Sequence, residues 1–394
     1  MLTADWRRGE SIRTIRKRFR LIGAVSAAAL VGALPITAWA QEPNDSKYLE
    51  RARQLDQRIL TFDTHLDLPF DYPGAAVDGT TQFDLPKTAR GQLKGAALAV
   101  FVPQGPRTPE GYAKARADAE KKYGLIKAVA EENPDRAALA YSPEDVRRIV
   151  GQGKFAVVVS LLNAYPLGTD LSQIEEWYKR GVRLFGFNHA GHNDWSDSSR
   201  PSKPLGNGPE EHGGLSSLGK QGVARLNELG ILIDVSQLSS PAFKQVLSLA
   251  RAPVIASHSG IKAIVDSPRN LSDEELDLLR RNGGVVSVVA FSNYLRTPPG
   301  PTESARPATV AQLVDAITYA VKRIGIDHVG IASDFNHGGG IAGWQNEGEA
   351  QNVTAELLRR GYSERDIGKL WGGNFLRVWG EAQKVGRVLQ TRRK

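Results

Sequence analysis

The stretch Ile59-Leu-Thr-Phe-Asp-Thr-His-Leu-Asp-Leu-Pro-Phe70 decides how this chain is read. It opens on a short apolar run, Ile59 to Asp63, and delivers His65 and Asp67 directly after it. A strand sends alternate side chains to opposite faces, so residues two apart just past its end point the same way. An imidazole and a carboxylate placed like that can share one cation. Taken alone, the pair also fits a buried histidine beside a turn aspartate, because short motifs often match by chance. The rest of the chain decides between the two.

Outward from this stretch, short β-branched runs alternate with longer amphipathic ones, as parallel strands separated by helices do. The candidate strands are Ile59 to Asp63, Gly95 to Val102, Phe155 to Leu162, Val182 to Asn188, Ile231 to Val235, Val254 to Ser257, Val285 to Ala290 and His328 to Ile331. Helical stretches between them include Glu110 to Glu131, Asp170 to Arg180, Ser217 to Leu229, Ser272 to Arg281 and Thr309 to Ile324. At 394 residues, 41% hydrophobic and 24% charged, the chain can bury one large barrel core or two smaller ones. Eight strand-then-helix units in one domain, 41–394, predict a closed (β/α)₈ barrel of the TIM type; a doubly wound open sheet is the alternative.

A barrel of this kind places its chemistry just past the strand ends. Polar groups collect there: His65 and Asp67 after the first strand, His189 after the fourth, His258 after the sixth, and Asp334 after the eighth. Such a gathering favours the active-site reading over chance.

Residues 1–40 read as an export signal. Arg13, Arg16, Lys17, Arg18 and Arg20 form a basic region, Leu21 to Ile36 is apolar, and Ala38-Trp-Ala40 is a small-x-small cleavage site. The apolar run is short for a membrane span, so the expected product has no stable span after cleavage and is periplasmic or secreted; retention as an uncleaved anchor is the alternative. This segment holds seven basic and two acidic residues, and removing it takes the formal charge from +8 to +3. Much of the basicity is then targeting, and a nucleic-acid partner loses its support. With no cysteine, the exported protein has no disulfides to lean on and no thiol for a lipid anchor.

At this point the residues carry a resemblance. Asp63-Thr-His-Leu-Asp67, Phe83-Asp-Leu-Pro86, Gly213-Gly-Leu-Ser216, Leu232-Ile-Asp-Val-Ser236, Arg251-Ala-Pro-Val-Ile-Ala-Ser-His-Ser259, Pro268-Arg-Asn270, Asp334-Phe335 and Gly372-Gly-Asn-Phe-Leu-Arg377 resemble the renal or membrane dipeptidases, within the metallo-dependent hydrolase barrels. The match runs in order from about residue 55 to 380. It implies a zinc-dependent barrel that cleaves dipeptides, with a glutamate bridging two metals, and suggests a homodimer. In that pattern His65 and Asp67 hold the first metal and His258 is one of two histidines on the second. His189 contacts substrate, Arg269 receives the substrate carboxylate, and Asp334 stands beside the catalytic water.

Two positions depart from the pattern. The bridging glutamate falls on Leu162 in Val159-Ser-Leu-Leu-Asn-Ala-Tyr-Pro-Leu-Gly168, or on Asn163 if the register slips by one, and the other second-metal histidine falls on Gln237. Two close metals need an anionic bridge, which leucine cannot supply, and a neutral amide is a poor zinc ligand. The expectation is therefore at most one zinc, or none, with Asp334 and His189 catalytic and Arg269 clamping a dipeptide-like substrate. A binding protein that has lost hydrolysis and a metal-free acid/base enzyme are the other readings. His192 and His337 are conceivable replacement ligands, His212 and His328 read as structural, Asp63 as an orienting acid and Asp197 as a turn residue. Arg269 has a duller alternative too, an ion pair with Asp266 or Asp273.

Overall fold

The computed structural model describes residues 43–297 and 306–392; the expected export signal and its cleavage site lie outside them. Nine strands form one parallel sheet: β1 (Phe62–Leu66), β2 (Gly95–Phe101), β3 (Ala137–Leu139), β4 (Phe155–Leu162), β5 (Val182–Gly186), β6 (Leu232–Asp234), β7 (Ile255–Ser259), β8 (Val285–Val289) and β9 (Val329–Ala332). The order is β1-β2-β4-β5-β6-β7-β8-β9, with β3 paired to the side of β4. At the carboxyl ends of β1 and β9, Asp334 N donates to His65 O and Asp67 N to Phe335 O, each at 3.0 Å. Those bonds bring the ring round on itself, so the expected (β/α)₈ barrel holds and the open sheet does not.

Strands such as Gly95–Phe101 and Phe155–Leu162 are buried along their whole length. Helices cover one face and barrel core the other, which is why these runs are continuously apolar. Inside the barrel, Phe62, Ala97, Val158, Leu184, Leu232, Ile255 and Val285 share one apolar cluster with Phe375, Val378 and Trp379 of the last helix, Asn374–Thr391. Phe62 stacks on Phe375 at 4.7 Å. The amino end of the barrel is thus plugged, and polar chemistry is left to the carboxyl end.

One strand begins later than the sequence suggests. Ile59 N still donates to Leu55 O at 3.0 Å, so Ile59 closes the helix Pro43–Arg58 instead of opening β1. His65 therefore lies inside β1, and only Asp67 lies past it. No helix among the described residues is long and apolar enough to cross a membrane.

Asp56, on that first helix, is buried against the helix Gln351–Arg359. Thr354 Oγ1 donates to its Oδ1 at 2.9 Å and in turn accepts from Trp371 Nε1 at 2.8 Å, while Asp56 Oδ2 has no partner. Burial raises the Asp56 carboxyl to about 7, against the pull of Thr354 and Lys94. Because the folded value is the higher one, the cost of ionising Asp56 is absent in acid, grows as pH rises from about 4 to 7, and reaches at most about 4 kcal/mol. Asp56→Asn keeps the acceptor and removes the charge. It is expected to stabilise the fold by about 1–3 kcal/mol at pH 8, with the gain shrinking toward pH 4, in urea unfolding at both ends of that range.

Candidate active site

Both histidines expected to bind metal stand at irregularities in their strands. β1 pairs Asp63 with Ala96 and then Leu66 with Leu98, so three steps along β1 match two along β2. β7 does the same against β8, pairing Ala256 with Val286 and Ser259 with Val288. The extra residue of a bulge interrupts the alternation and re-aims a side chain. His65 and His258 are the residues so placed, and their rings stack with centroids 3.7 Å apart and planes at 11°.

Asp334 reaches the same point from the turn after β9. Its φ is 57°, in the left-handed region, and Gly339 lets the turn close, since a Cβ there would stand 2.0 Å from Ser333 O. One ligand atom each from His65, His258 and Asp334 lies within 4.8 Å of the others. Asp67 Oδ2 and Asp334 Oδ1 are each 3.9 Å from His65 Nε2. Groups from β1, β7 and β9 thus meet in one pit at the carboxyl rim.

What these atoms lack is as informative as where they stand. Buried polar atoms are nearly always hydrogen-bonded. Here His65 Nδ1 and Nε2, both Asp67 carboxylate oxygens and Asp334 Oδ1 are buried without a hydrogen-bond partner. Lys122 Nζ stands 3.6 Å from Asp67 Oδ1, within ion-pair but not hydrogen-bond reach, and donates instead to Leu68 O. Asp63 orients the strand end, accepting from His65 N at 3.1 Å, from Ser333 N at 3.0 Å and from the Ser333 hydroxyl.

Burial dominates the electrostatics. It pushes the Asp67 carboxyl up to about 7 against the Lys122 charge, and the Asp334 carboxyl well above its ordinary value with Asp67 adding to the shift. It pushes His65 down to about 3, and His258 and His189 well below the usual imidazole value. The fold holds neutral imidazoles and proton-hungry acids where charge would be costly without a ligand.

Around His258 the hydrogen bonds fix every proton. Arg200 Nη2 lies 2.6 Å from Gln237 Oε1, and a guanidinium can only donate, so the amide oxygen faces Arg200 and the amide nitrogen faces His258 Nε2 at 3.1 Å. His258 Nε2 is then the acceptor. Its Nδ1 carries the hydrogen toward Ser257 Oγ at 2.8 Å, and that hydroxyl donates to Asp234 Oδ2 at 2.5 Å.

The remaining expected residues fall as follows. Leu162 ends β4 opposite Phe101 and packs with Ala99 and Phe101 in a small apolar cluster. Asn163, with φ 75°, spends its side chain on Val102 O and Asn193 Nδ2, each at 3.0 Å. His189 Nε2 is 3.2 Å from both Arg200 Nη2 and His337 Nε2. Arg269 is buried, donating to Ser259 Oγ at 2.9 Å and to His258 O. Neither alternative partner engages it: Asp266 pairs with Lys262 at 3.5 Å and Asp273 with Arg323 at 3.2 Å.

His192 lies outside the pit, accepting from Ser198 N at Nδ1 and facing Gly208 O at Nε2, each at 3.0 Å. His212 and His328 bond to the Asn193 and Gly284 carbonyls, each at 2.8 Å, as structural histidines do. Asp197 does more than make a turn, since it accepts from the Glu211, His212 and Gly214 amides. His337 does reach the rim, its Nδ1 3.9 Å from Asp67 Oδ2. Sequence reading missed Lys122 and Arg200. Lys122 looks like one more lysine of an exposed helix, and Arg200 sits in a long loop without periodicity.

The comparisons agree with this geometry. A family model described as membrane dipeptidase (peptidase family M19) matches residues 49–393. Dipeptidase aclJ of Aspergillus oryzae is 30% identical over 313 residues, which cover 78% of this chain and 72% of its own length. Dipeptidase tcpJ of Claviceps purpurea is 30% identical over 311 residues, covering 77% and 69%. Among solved structures, the probable dipeptidase PvdM from Pseudomonas aeruginosa is similar at a TM-score of 0.84 and 45% identity, over 87% of this chain and 100% of that one. A metallo peptidase from Rhodobacter sphaeroides, liganded with a phosphinate mimic of the dipeptide L-Ala-D-Ala, shares the fold at a TM-score of 0.71 and 23% identity, over 82% and 99%. A barrel with this pit at its rim, matched over nearly its whole length, belongs to the membrane dipeptidase family, peptidase family M19.

Proposed function

We propose that the chain is an exported hydrolase of dipeptides, or of similar small amides with a free carboxylate, working with a single metal ion. The observation that carries this reading is the set of buried atoms without a hydrogen bond on His65, Asp67 and Asp334, with Asp67 Oδ2 and Asp334 Oδ1 each 3.9 Å from His65 Nε2. One imidazole and two carboxylates suit a divalent ion such as zinc and leave positions for water and substrate. When bound there, such an ion supplies Lewis acidity and lowers the pKa of its water. His258 stands in the same cluster, but Gln237 already engages its Nε2.

A second ion does not suit the residues present. We take Leu162 as the position of the bridging glutamate, since Asn163 is committed elsewhere, and an apolar side chain there leaves two close cations unscreened. Gln237 turns its amide nitrogen, a donor, toward the histidine that would hold such an ion.

The chain's own groups divide the remaining work. Arg269, a buried cation without an ion-pair partner among the described residues, receives the substrate carboxylate and sets its direction. Asp334, at the rim beside His65, accepts the proton of the attacking water and returns it to the leaving amine. The loss of the bridging position also favours a second reading, a binding protein that keeps the pocket without turnover.

Metal content of the purified protein and hydrolysis of a dipeptide panel, with and without added zinc, separate the two. About one ion per chain and metal-dependent turnover are the expected result. Tight dipeptide binding with no turnover under any metal supports the binding protein, and two firmly held ions contradict the placement of Leu162.

A further inference from the structure

Arg200 enters the site from the long loop after β5, and nothing in the sequence pattern points to it. Its Nη2 group donates to Gln237 Oε1 at 2.6 Å and lies 3.2 Å from His189 Nε2. Its Nη1 is 3.4 Å from the Tyr294 hydroxyl, and its Nε–H is buried without a partner. Arg269 stands on the same tyrosine, its guanidinium carbon 5.6 Å from the ring centroid, and its Nε is likewise buried without a partner. Neither arginine makes an ion pair among the described residues. Two guanidinium groups beside one tyrosine, neither with a carboxylate in ion-pair reach among the described residues though both feel the Asp334 charge, form a place that can take an anion.

The contact with His189 decides which arginine does what. A guanidinium has no acceptor, so His189 Nε2 accepts from Arg200 with its one lone pair, and His337 Nε2 stands beside it at the same 3.2 Å. His189 therefore has no Nε2 hydrogen to offer a substrate carbonyl. The donor at that place is the guanidinium behind it.

We propose that Arg200 is the residue that binds the oxyanion of the tetrahedral intermediate, in place of His189, and supplies positive charge on the side where a second cation does not fit. Gln237, buried and held in the left-handed region at φ 73°, is the positioning residue: its amide bridges His258 and Arg200 and fixes the guanidinium. Water oxygen bonds to the scissile carbon as the carbonyl electron pair moves onto oxygen, and Asp334 takes the water proton. That oxyanion meets the Arg200 Nη1–H and Nε–H groups, since Gln237 and His189 hold the Nη2 hydrogens. The pair then returns, the C–N bond breaks, and the proton passes from Asp334 to the amine. Arg269 stays on the substrate carboxylate throughout.

This inference rests on the dipeptidase reading, so its test compares two probes on the intact protein by calorimetry. One is a phosphinate mimic of L-Ala-D-Ala, which carries the tetrahedral anion; the other is D-alanine, which carries the carboxylate without a tetrahedral anion. Arg200→Met is expected to weaken the phosphinate on the order of 100-fold while changing D-alanine less than about threefold. Arg200→Lys, which keeps charge and packing, is expected to lose about tenfold on the phosphinate alone, and it answers the question if the methionine variant does not fold. Equal losses for both probes, or no loss for the phosphinate, overturn the assignment. If the unmodified protein binds neither probe, the dipeptidase reading itself falls and takes this one with it.

Discussion

His65→Ala is expected to strip the protein of bound metal and to lower kcat/KM by roughly a thousandfold or more, since an ion left with carboxylates alone is weakly held and poorly oriented. The same substitution is expected to leave the metal-free fold as stable as before. Both ring nitrogens of His65 are buried and unpartnered, so the metal-free protein carries an unmet desolvation cost at this side chain. Alanine removes that cost along with the stacking contact on His258, and the two losses offset one another. Melting curves with and without zinc are the readout. The unmodified protein melts higher with the ion, because a ligand bound only to the folded state stabilises it, and His65→Ala shows no such rise. An alanine variant that keeps one equivalent of metal would place the ion elsewhere, with His258 and Asp334 the groups to examine next.

The barrel was legible because parallel strands buried on both faces must be apolar throughout, and runs such as Phe155–Leu162 leave no other reading. Three helices begin within a residue of their expected starts for a local reason: Ser216, Ser272 and Thr309 are side-chain caps that state where a helix begins. β1 begins three residues later than its apolar run suggests because Ile59 reads the same at a helix end as at a strand start. β3, at three residues, is too short to carry a periodicity. The bulges that aim His65 and His258 leave no mark in the sequence, since they depend on how β1 and β7 register against their neighbours. That His65, His258 and Asp334 meet could be expected from the family pattern, whereas Lys122 beside Asp67 and Arg200 beside Gln237 are long-range contacts of ordinary-looking cations. In the sequence Gln237 stands out only against the family pattern, and its use, an amide turned both ways between a donor and an acceptor, depends on Arg200 and His258 coming to either side of it.

Arg269→Met is expected to raise KM for dipeptides by roughly a hundredfold to a thousandfold, the range found when one partner of a buried, hydrogen-bonded charge pair is removed. It should do so without destabilising the protein. Burial pushes the Arg269 guanidinium down to about 10, still charged at neutral pH, and no carboxylate of the described residues pairs with it. Replacing a buried cation that no carboxylate reaches as an ion pair by an apolar side chain of similar volume is close to neutral, and the cost is lost function. The donation to Ser259 Oγ and the His258 carbonyl partly offsets the cost of burying the charge, so the melting temperature is expected to stay level or rise slightly. Amidated dipeptides give the sharper measurement. They lack the carboxylate, so the unmodified protein should process them poorly, and Arg269→Met should treat free and amidated forms alike. If the methionine variant unfolds readily, or still prefers the free carboxylate by the original ratio, Arg269 is a structural tie for β7 and the substrate's charge is met elsewhere. Arg200 would then be the remaining unpaired cation at the pit, and the two guanidinium groups would have to exchange the roles given them here.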